Sequence, residues 1–322
     1  MMGMRIALIG AGNMGSLHLK VMKMAGVEIA GVCDVKDEVL RKVKEEYGVP
    51  VYKDYQEMLE KESPDGVIIA TPPHLHREQA IYALKKGYYV LLEKPMGANL
   101  QDARAIYRRA RGTNRLMVAF SLRFHGLFMK VKDYLERDLG DILFQWHVAL
   151  GRTPVNEWIK DSRKSGGMIN ENAVHVVYYF LWYAGDIKKV YGRCWTLEED
   201  ATIEDNAAVT FVHRNGAVST LMQTWTAQHR WRKWGLQATN GTVTVDGYLG
   251  GDYKISTREM RVLEEGNFSE EVELMYLRQL KHFLHCIETG EKPVVNEEDG
   301  LKVHRAVQAL YRSSRLDRMV PL

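Results

Sequence analysis

Arg5-Ile6-Ala7-Leu8-Ile9-Gly10-Ala11-Gly12-Asn13-Met14-Gly15 opens the stretch whose reading decides the fold. A short apolar run ends in three glycines at Gly-x-Gly-x-x-Gly spacing. Ser16 to Ala25 then has helical character, and a second apolar run, Val27 to Val32, ends in Cys33-Asp34. Strand, glycine turn, helix, strand and acid follow one another without interruption, and each part suits the binding of a dinucleotide. Gly10 permits the tight turn, Gly12 lets the backbone approach a pyrophosphate, and Gly15 lets the helix pack close to the sheet. The helix N-terminus, opening with Asn13 and Met14, offers N–H groups and partial positive charge to phosphates. Asp34, about 20 residues beyond the glycines, is placed to accept from a ribose diol. Its carboxylate would repel a 2′-phosphate, so NAD is the expected cofactor, with Lys36 leaving room for NADP.

Working outward, the chain's 322 residues suffice for two domains, and its 46% apolar content provides a substantial core. Net charge is +3, from 44 basic and 41 acidic residues, with no long block of one sign. A nucleic-acid partner is therefore not expected. Cys33, Cys194 and Cys286 are odd in number and far apart, forming neither a CxxC pair nor a disulfide framework, which suits a reducing compartment. The N-terminal apolar run has a strand's length, and no run approaches the roughly 18 apolar residues that read as a membrane span. A soluble, cytoplasmic protein is the expectation.

The alternation of elements continues after Asp34. Helices are expected over Asp37 to Tyr47, Tyr55 to Lys61, Arg77 to Lys86 and Asn99 to Arg111. Buried strands are expected over Val67 to Ala70, Tyr88 to Leu92 and Leu116 to Phe120. Strands alternating with helices imply a parallel, doubly wound sheet, in which ligands sit beyond the carboxyl ends of the strands. Thr71-Pro72-Pro73-His74-Leu75-His76 and Glu93-Lys94-Pro95 both occupy such ends.

Beyond Arg123 the rhythm changes. Lys130 to Arg137 reads as helix and Asp141 to Leu150 as strand. An irregular stretch, Gly151 to Gly167, holds Trp158, Arg152, Lys160, Arg163 and Lys164, residues placed to line a substrate cleft or a solvated loop. Asn172 to Tyr183 is an apolar helix. Strand-like runs follow at Val190 to Leu197, Ala207 to His213, Ala217 to Trp225, Trp234 to Thr239 and Thr242 to Asp246. Their direct succession through turn signals implies a mainly antiparallel sheet. Two helices, about Glu271 to Thr289 and Asp299 to Arg312, close the chain. The change of pattern divides it into domains at 1–122 and 123–322.

Taken together, Gly10 to Gly15, Ala70 to His76, Glu93-Lys94-Pro95, Arg123-Phe124, Gly166-Gly167 with His175, and the Asn240 to Val245 hairpin stand at familiar spacings. They resemble, over the whole chain, the Gfo/Idh/MocA family of glucose–fructose oxidoreductase, inositol dehydrogenase and their relatives. The resemblance implies an α/β Rossmann domain followed by an α+β domain with an open, mainly antiparallel sheet. That sheet commonly forms subunit contacts, so a homo-oligomer, dimer or tetramer, is expected. The last helix is free to pack back on the first domain. The implied substrates are sugars, cyclitols or related polyhydroxylated small molecules.

In this reading Lys94 is a catalytic and substrate-binding residue, donating to a hydroxyl and stabilising oxygen as it gains charge. Pro95 restricts Lys94 to an extended backbone, and the resemblance raises a cis Lys94–Pro95 bond as a possibility. His175 matches the family's catalytic histidine, a residue type suited to general-base work. Glu171, four residues before it and on the same face of a helix, stands where the family usually has aspartate; its extra methylene leaves the usual substrate geometry open. Thr71, Pro72, His76, Glu93, Lys94 and Arg123 join the glycines, Asn13, Met14 and Asp34 as cofactor-side candidates; Lys94, Trp158, Glu171 and His175 are the substrate-side ones, and Glu171 joins Lys94 and His175 as a catalytic candidate. Arg123 has the alternative of pairing with an acid between domains. His74, His76 and His125 lack the companions of a zinc site, so no metal is expected. The activity implied is NAD-dependent oxidation of a secondary hydroxyl, His175 taking the proton and Lys94 polarising the oxygen. The alternatives are a glycoside hydrolase using NAD transiently, as in some members of the superfamily, and a non-catalytic NAD- and sugar-binding sensor.

Overall fold

A computed structural model describes residues 3–152 and 157–322; residues 153–156 of the expected irregular stretch lie outside it. Two compact units emerge, one comprising the chain up to Ser121 with Val272–Leu301, the other Leu122–Glu271 with Lys302–Leu322.

In the first unit, strands β1 (Arg5–Ile9), β2 (Glu28–Cys33), β3 (Val51–Tyr52), β4 (Gly66–Ile69), β5 (Tyr89–Leu92) and β6 (Leu116–Val118) form a sheet in the order β3-β2-β1-β4-β5-β6. Every pairing is parallel. Helices α1 (Asn13–Ala25), α2 (Asp37–Tyr47), α3 (Tyr55–Glu62), α4 (Pro73–Lys86) and α5 (Leu100–Ala110) link the strands. β1 can be a continuous apolar run because both of its faces are covered, and Ile6, Ala7 and Leu8 are fully buried. Strand order reverses between β1 and β4, which places the glycine turn at the topological switch point. Gly10 turns there with φ of 88°. At Gly15 a Cβ would sit 2.0 Å from the Gly10 carbonyl oxygen, so α1 can lie this close only on glycine.

The second unit starts at Leu122, within a 3-10 turn (Ser121–Phe124), and continues through α6 (Gly126–Tyr134), β7 (Ile142–Arg152), α7 (Glu157–Lys160) and α8 (Ser162–Ser165). A π-turn, Ile169–Ala173, leads into α9 (Val174–Ala184). Then follow β8 (Ile187–Trp195), β9 (Asn206–His213), β10 (Val218–Thr224), β11 (Thr226–Ala238), β12 (Gly241–Asp246), β13 (Gly251–Thr257) and β14 (Val262–Phe268). Helix α10 (Val272–Thr289) belongs to the first unit, where its Tyr276 meets His18 of α1 edge-on at 5.6 Å. Helix α11 (Glu297–Leu316) passes from the first unit's residues to the second's, and β15 (Val320–Pro321) ends the chain. The second sheet runs β14-β13-β12-β11-β7-β10-β9-β8-β15. Among the described residues, only its β7–β10 pairing is parallel.

One face of this sheet is covered by α6 and α9, with Phe128 stacked on the fully buried Trp234 at 4.5 Å and Tyr179 beside both. Along the strands residues alternate between faces, and the other face exposes Phe144, Tyr191, Trp195, Met222 and Trp231. No helix among the described residues is long and apolar enough to cross a membrane.

Candidate functional site

At the end of β1 the Gly10 amide donates to the Cys33 carbonyl at 2.8 Å, tying the glycine turn to β2. Half-buried Asp34 follows, its carboxylate accepting from the Ala11 amide at 2.8 Å and the Lys36 amide at 2.9 Å. The acid is thereby locked beside the turn by backbone contacts. Gly12 caps α1 without a side chain, and no acid stands in the helix's first turn, which Asn13 and Met14 begin. A Cβ built on Gly12 would meet nothing within 4 Å. A side-chain-free helix N-terminus with open space before it is what a pyrophosphate requires, so these residues fit the expected dinucleotide.

Beyond β4, the Thr71 hydroxyl donates to Gln79 Oε1 at 2.6 Å, and Pro72 is the N-cap of α4. His76 is fully buried, with Nδ1 2.9 Å from the Pro95 carbonyl oxygen and Nε2 2.7 Å from that of Thr71. Both ring nitrogens thus face the backbone, and burial pushes the imidazole pKa down against the pull of the two carbonyls. The ring braces the ends of β4 and β5 together and leaves no nitrogen for a ligand. Glu93 is likewise engaged: Oε1 lies 2.8 Å from His18 Nε2, and Oε2 accepts from the Lys94 amide at 3.1 Å. Both partners of the His18–Glu93 pair are almost completely buried. Lys94 is half-buried, and its bond to Pro95 is cis. Two buried brackets, His76 on one side and Glu93 with His18 on the other, therefore fix the backbone from which Lys94 extends. His74 is exposed, and no three His, Cys, Asp or Glu side chains among the described residues could hold a metal ion.

In the second unit the turn at Gly166 and Gly167 is fastened from below. Glu204 Oε1 accepts from the Ile169 amide at 2.8 Å and from the Tyr311 hydroxyl at 2.7 Å. The next residues form the π-turn that carries Glu171, and His175 is the second residue of α9. The regular helix expected from Asn172 therefore begins with a wider turn. Glu171 and His175 span the junction between the two helix types, a local irregularity common at functional sites. Asn172 Oδ1 accepts from Gln223 Nε2 at 2.7 Å, anchoring the π-turn to β10. Both Glu171 and His175 are half-buried. Arg123 stacks on Trp182 of α9 at 4.1 Å, and no acid among the described residues lies within ion-pair distance of it. Trp158 is half-buried in α7; the neighbouring Lys160 pairs with Asp200 at 2.7 Å and Arg163 with Asp161 at 3.1 Å.

One group of residues had no counterpart in the sequence reading. The loop Gly247-Tyr248-Leu249-Gly250 between β12 and β13 is held by Trp234 Nε1, which donates to the Tyr248 carbonyl at 3.2 Å, and by His125 Nε2, 2.9 Å from that of Leu249. It presents Tyr248 edge-on to His147 at 5.4 Å, with the Arg232 guanidinium 5.2 Å over the phenol ring. Burial, more than the opposing charges of Arg232 and Glu171, pushes the Tyr248 pKa up. Burial and then Arg232 push that of His147 down to about 3, so its ring is neutral. The signal available in the sequence was an aromatic residue inside a glycine-rich loop.

Sequence comparison agrees with this architecture in both units. Residues 4–120 match the profile of an oxidoreductase family with an NAD-binding Rossmann fold, and residues 128–244 match the GFO/IDH/MocA C-terminal domain. The chain belongs to the GFO/IDH/MocA family. Among its relatives, the myo-inositol 2-dehydrogenase of Thermotoga maritima is 28% identical, with 92% of each chain aligned. The D-xylose 1-dehydrogenase (NADP(+)) 2 of Haloferax volcanii is 23% identical over 99% of this chain and 100% of its own. A levoglucosan dehydrogenase solved in complex with NADH has the same fold, with a TM-score of 0.90 at 19% identity over 99% of this chain and 98% of its own. Within the family's two profiles, the first spans the glycine turn, Asp34 and Lys94. The second spans Glu171, His175 and Arg232 but stops short of Tyr248.

Proposed function

We propose that this member of the family oxidises a secondary hydroxyl of a sugar, cyclitol or related polyol. The observation that carries the reading is the pair of buried brackets around Lys94. They hold a lysine at the carboxyl end of β5, in the same sheet whose switch point fits a dinucleotide. NAD, when bound, supplies the hydride acceptor. Lys94 donates to the substrate hydroxyl and stabilises its oxygen as negative charge develops. His175 removes the hydroxyl proton. Glu171, on the wider turn before it, accepts from a neighbouring hydroxyl and orients the sugar. Asp34, fixed beside the glycine turn, favours a free ribose diol over a 2′-phosphate. Relatives named for myo-inositol and D-xylose support the substrate class.

A panel of cyclitols, sugars and sugar acids, each offered with NAD and with NADP and followed by absorbance of the reduced cofactor, tests the proposal. At least one polyol should reduce NAD, and faster than NADP. Sugar release without net reduction would refute it.

The apolar side chains exposed on the open face of the second sheet fit a second copy of this chain. Light scattering should give the mass of two or more chains; a monomer at micromolar concentration would exclude that association.

A further inference from the structure

Among the described basic side chains of the second unit, Arg232 shares with Arg123 a seat over an aromatic ring without an acid at ion-pair distance. Lys160, Arg163, Lys233 and Lys254 each pair with a carboxylate, at 2.7, 3.1, 2.6 and 3.3 Å. Arg232 has no acid within ion-pair distance among the described residues, yet its guanidinium is positioned by the Tyr248 ring. It pairs across the sheet with Ala149, and the next position on the same face joins Trp234 with His147. It thus lies at the rim of the face that α9 covers. The loop beneath is fastened twice, through Trp234 and His125, so the ring that orients the arginine is itself fixed. The Glu171 carboxylate acts on the same phenol. The ring also meets His147 edge-on at 5.4 Å, and His147 Nδ1 lies 3.1 Å from the hydroxyl of Tyr179, one helical turn beyond His175 on α9. Arg152 and Arg230, exposed on β7 and β11, add positive charge along the same strands.

We propose that Arg232 selects an anionic polyol, binding its carboxylate or phosphate while Tyr248 packs against the carbon skeleton. This rests on the oxidation reading above and narrows its substrate class. The planar guanidinium presents paired donors that match either oxyanion, a match lysine lacks. Stacking on an aromatic ring leaves those edge donors available to a ligand. A hydroxyl some carbons from the anion is then left for Glu171 and His175.

The test compares matched substrates, a neutral polyol, the corresponding sugar acid and the corresponding sugar phosphate, on wild type, Arg232→Gln, Arg232→Lys and the remote exposed control Arg315→Gln. Wild type should favour an anionic member of the set. In Arg232→Gln the anionic-to-neutral ratio of kcat/KM should fall at least tenfold (about 1.4 kcal/mol), chiefly through KM. Arg232→Lys should fall between, and Arg315→Gln should keep the wild-type ratio. Whether the loss appears with the acid or the phosphate identifies the anion. An unchanged ratio in Arg232→Gln, or wild-type preference for the neutral compound, overturns the assignment while leaving polyol oxidation standing. If wild type oxidises none of the polyols, neutral or anionic, the oxidation reading itself fails and this inference falls with it.

Discussion

Lys94→Ala should lower kcat for polyol oxidation by about a hundred- to a thousandfold, a loss of roughly 3–4 kcal/mol of transition-state stabilisation. The size follows from the role assigned to the ammonium, which interacts most strongly with an oxygen that has begun to lose its proton. Such a contact is worth little in the ground state, so KM should change far less than kcat. The fold should survive, because the brackets run through other groups: Glu93 holds His18 and the Lys94 backbone amide, and His76 holds the Thr71 and Pro95 carbonyls. Cofactor affinity, read by quenching of tryptophan fluorescence, should stay within a few-fold of wild type. A variant that loses only KM would make Lys94 a uniform binding residue, and one with near-normal kcat would remove it from the chemistry.

His175→Asn should reduce kcat by about a hundred- to ten-thousandfold, the range for removing a general base. Asparagine keeps a polar group at the second position of α9 but cannot accept and hold a proton at neutral pH. The wild-type rate of oxidation should rise with pH as the imidazole loses its proton, and that limb of the profile should disappear in the variant. The pH profile separates proton transfer from a structural role, since a merely distorted site would lower the rate while keeping its pH dependence. Retention of the wild-type limb would assign the base to another group.

Much of the first unit was legible because its signals are local. Gly10, Gly12, Gly15 and Asp34 sit within one βαβ unit, and each responds to a constraint that neighbouring residues announce. The brackets around Lys94 were not legible. His18 and Glu93 are 75 positions apart, and His76 and Pro95 are 19 apart; nothing in either segment names its partner. In the second unit, β9 and β10 alternate cleanly because one face is buried. The first half of β11, Thr226 to Lys233, is polar and largely exposed, so it lacked the alternation by which strands are recognised. β14, at the sheet edge, is largely exposed and carries Glu264, Glu265 and Asn267, which hid it for the same reason. The π-turn before His175 is a matter of backbone hydrogen bonding with no residue signature. Tyr248 could be noticed as an aromatic among glycines, but only the fold brings Arg232 over its ring.

Central to the account is direct transfer of hydride from a carbinol carbon to the cofactor. The substrate identified from the panel, deuterated at the carbon that is oxidised, should be incubated with the protein and NAD and the reduced cofactor analysed by NMR. The account predicts one deuterium at C4 of the nicotinamide for each molecule of ketone or lactone formed. Reduced cofactor without deuterium, or deuterium lost to solvent with no net reduction, would contradict it.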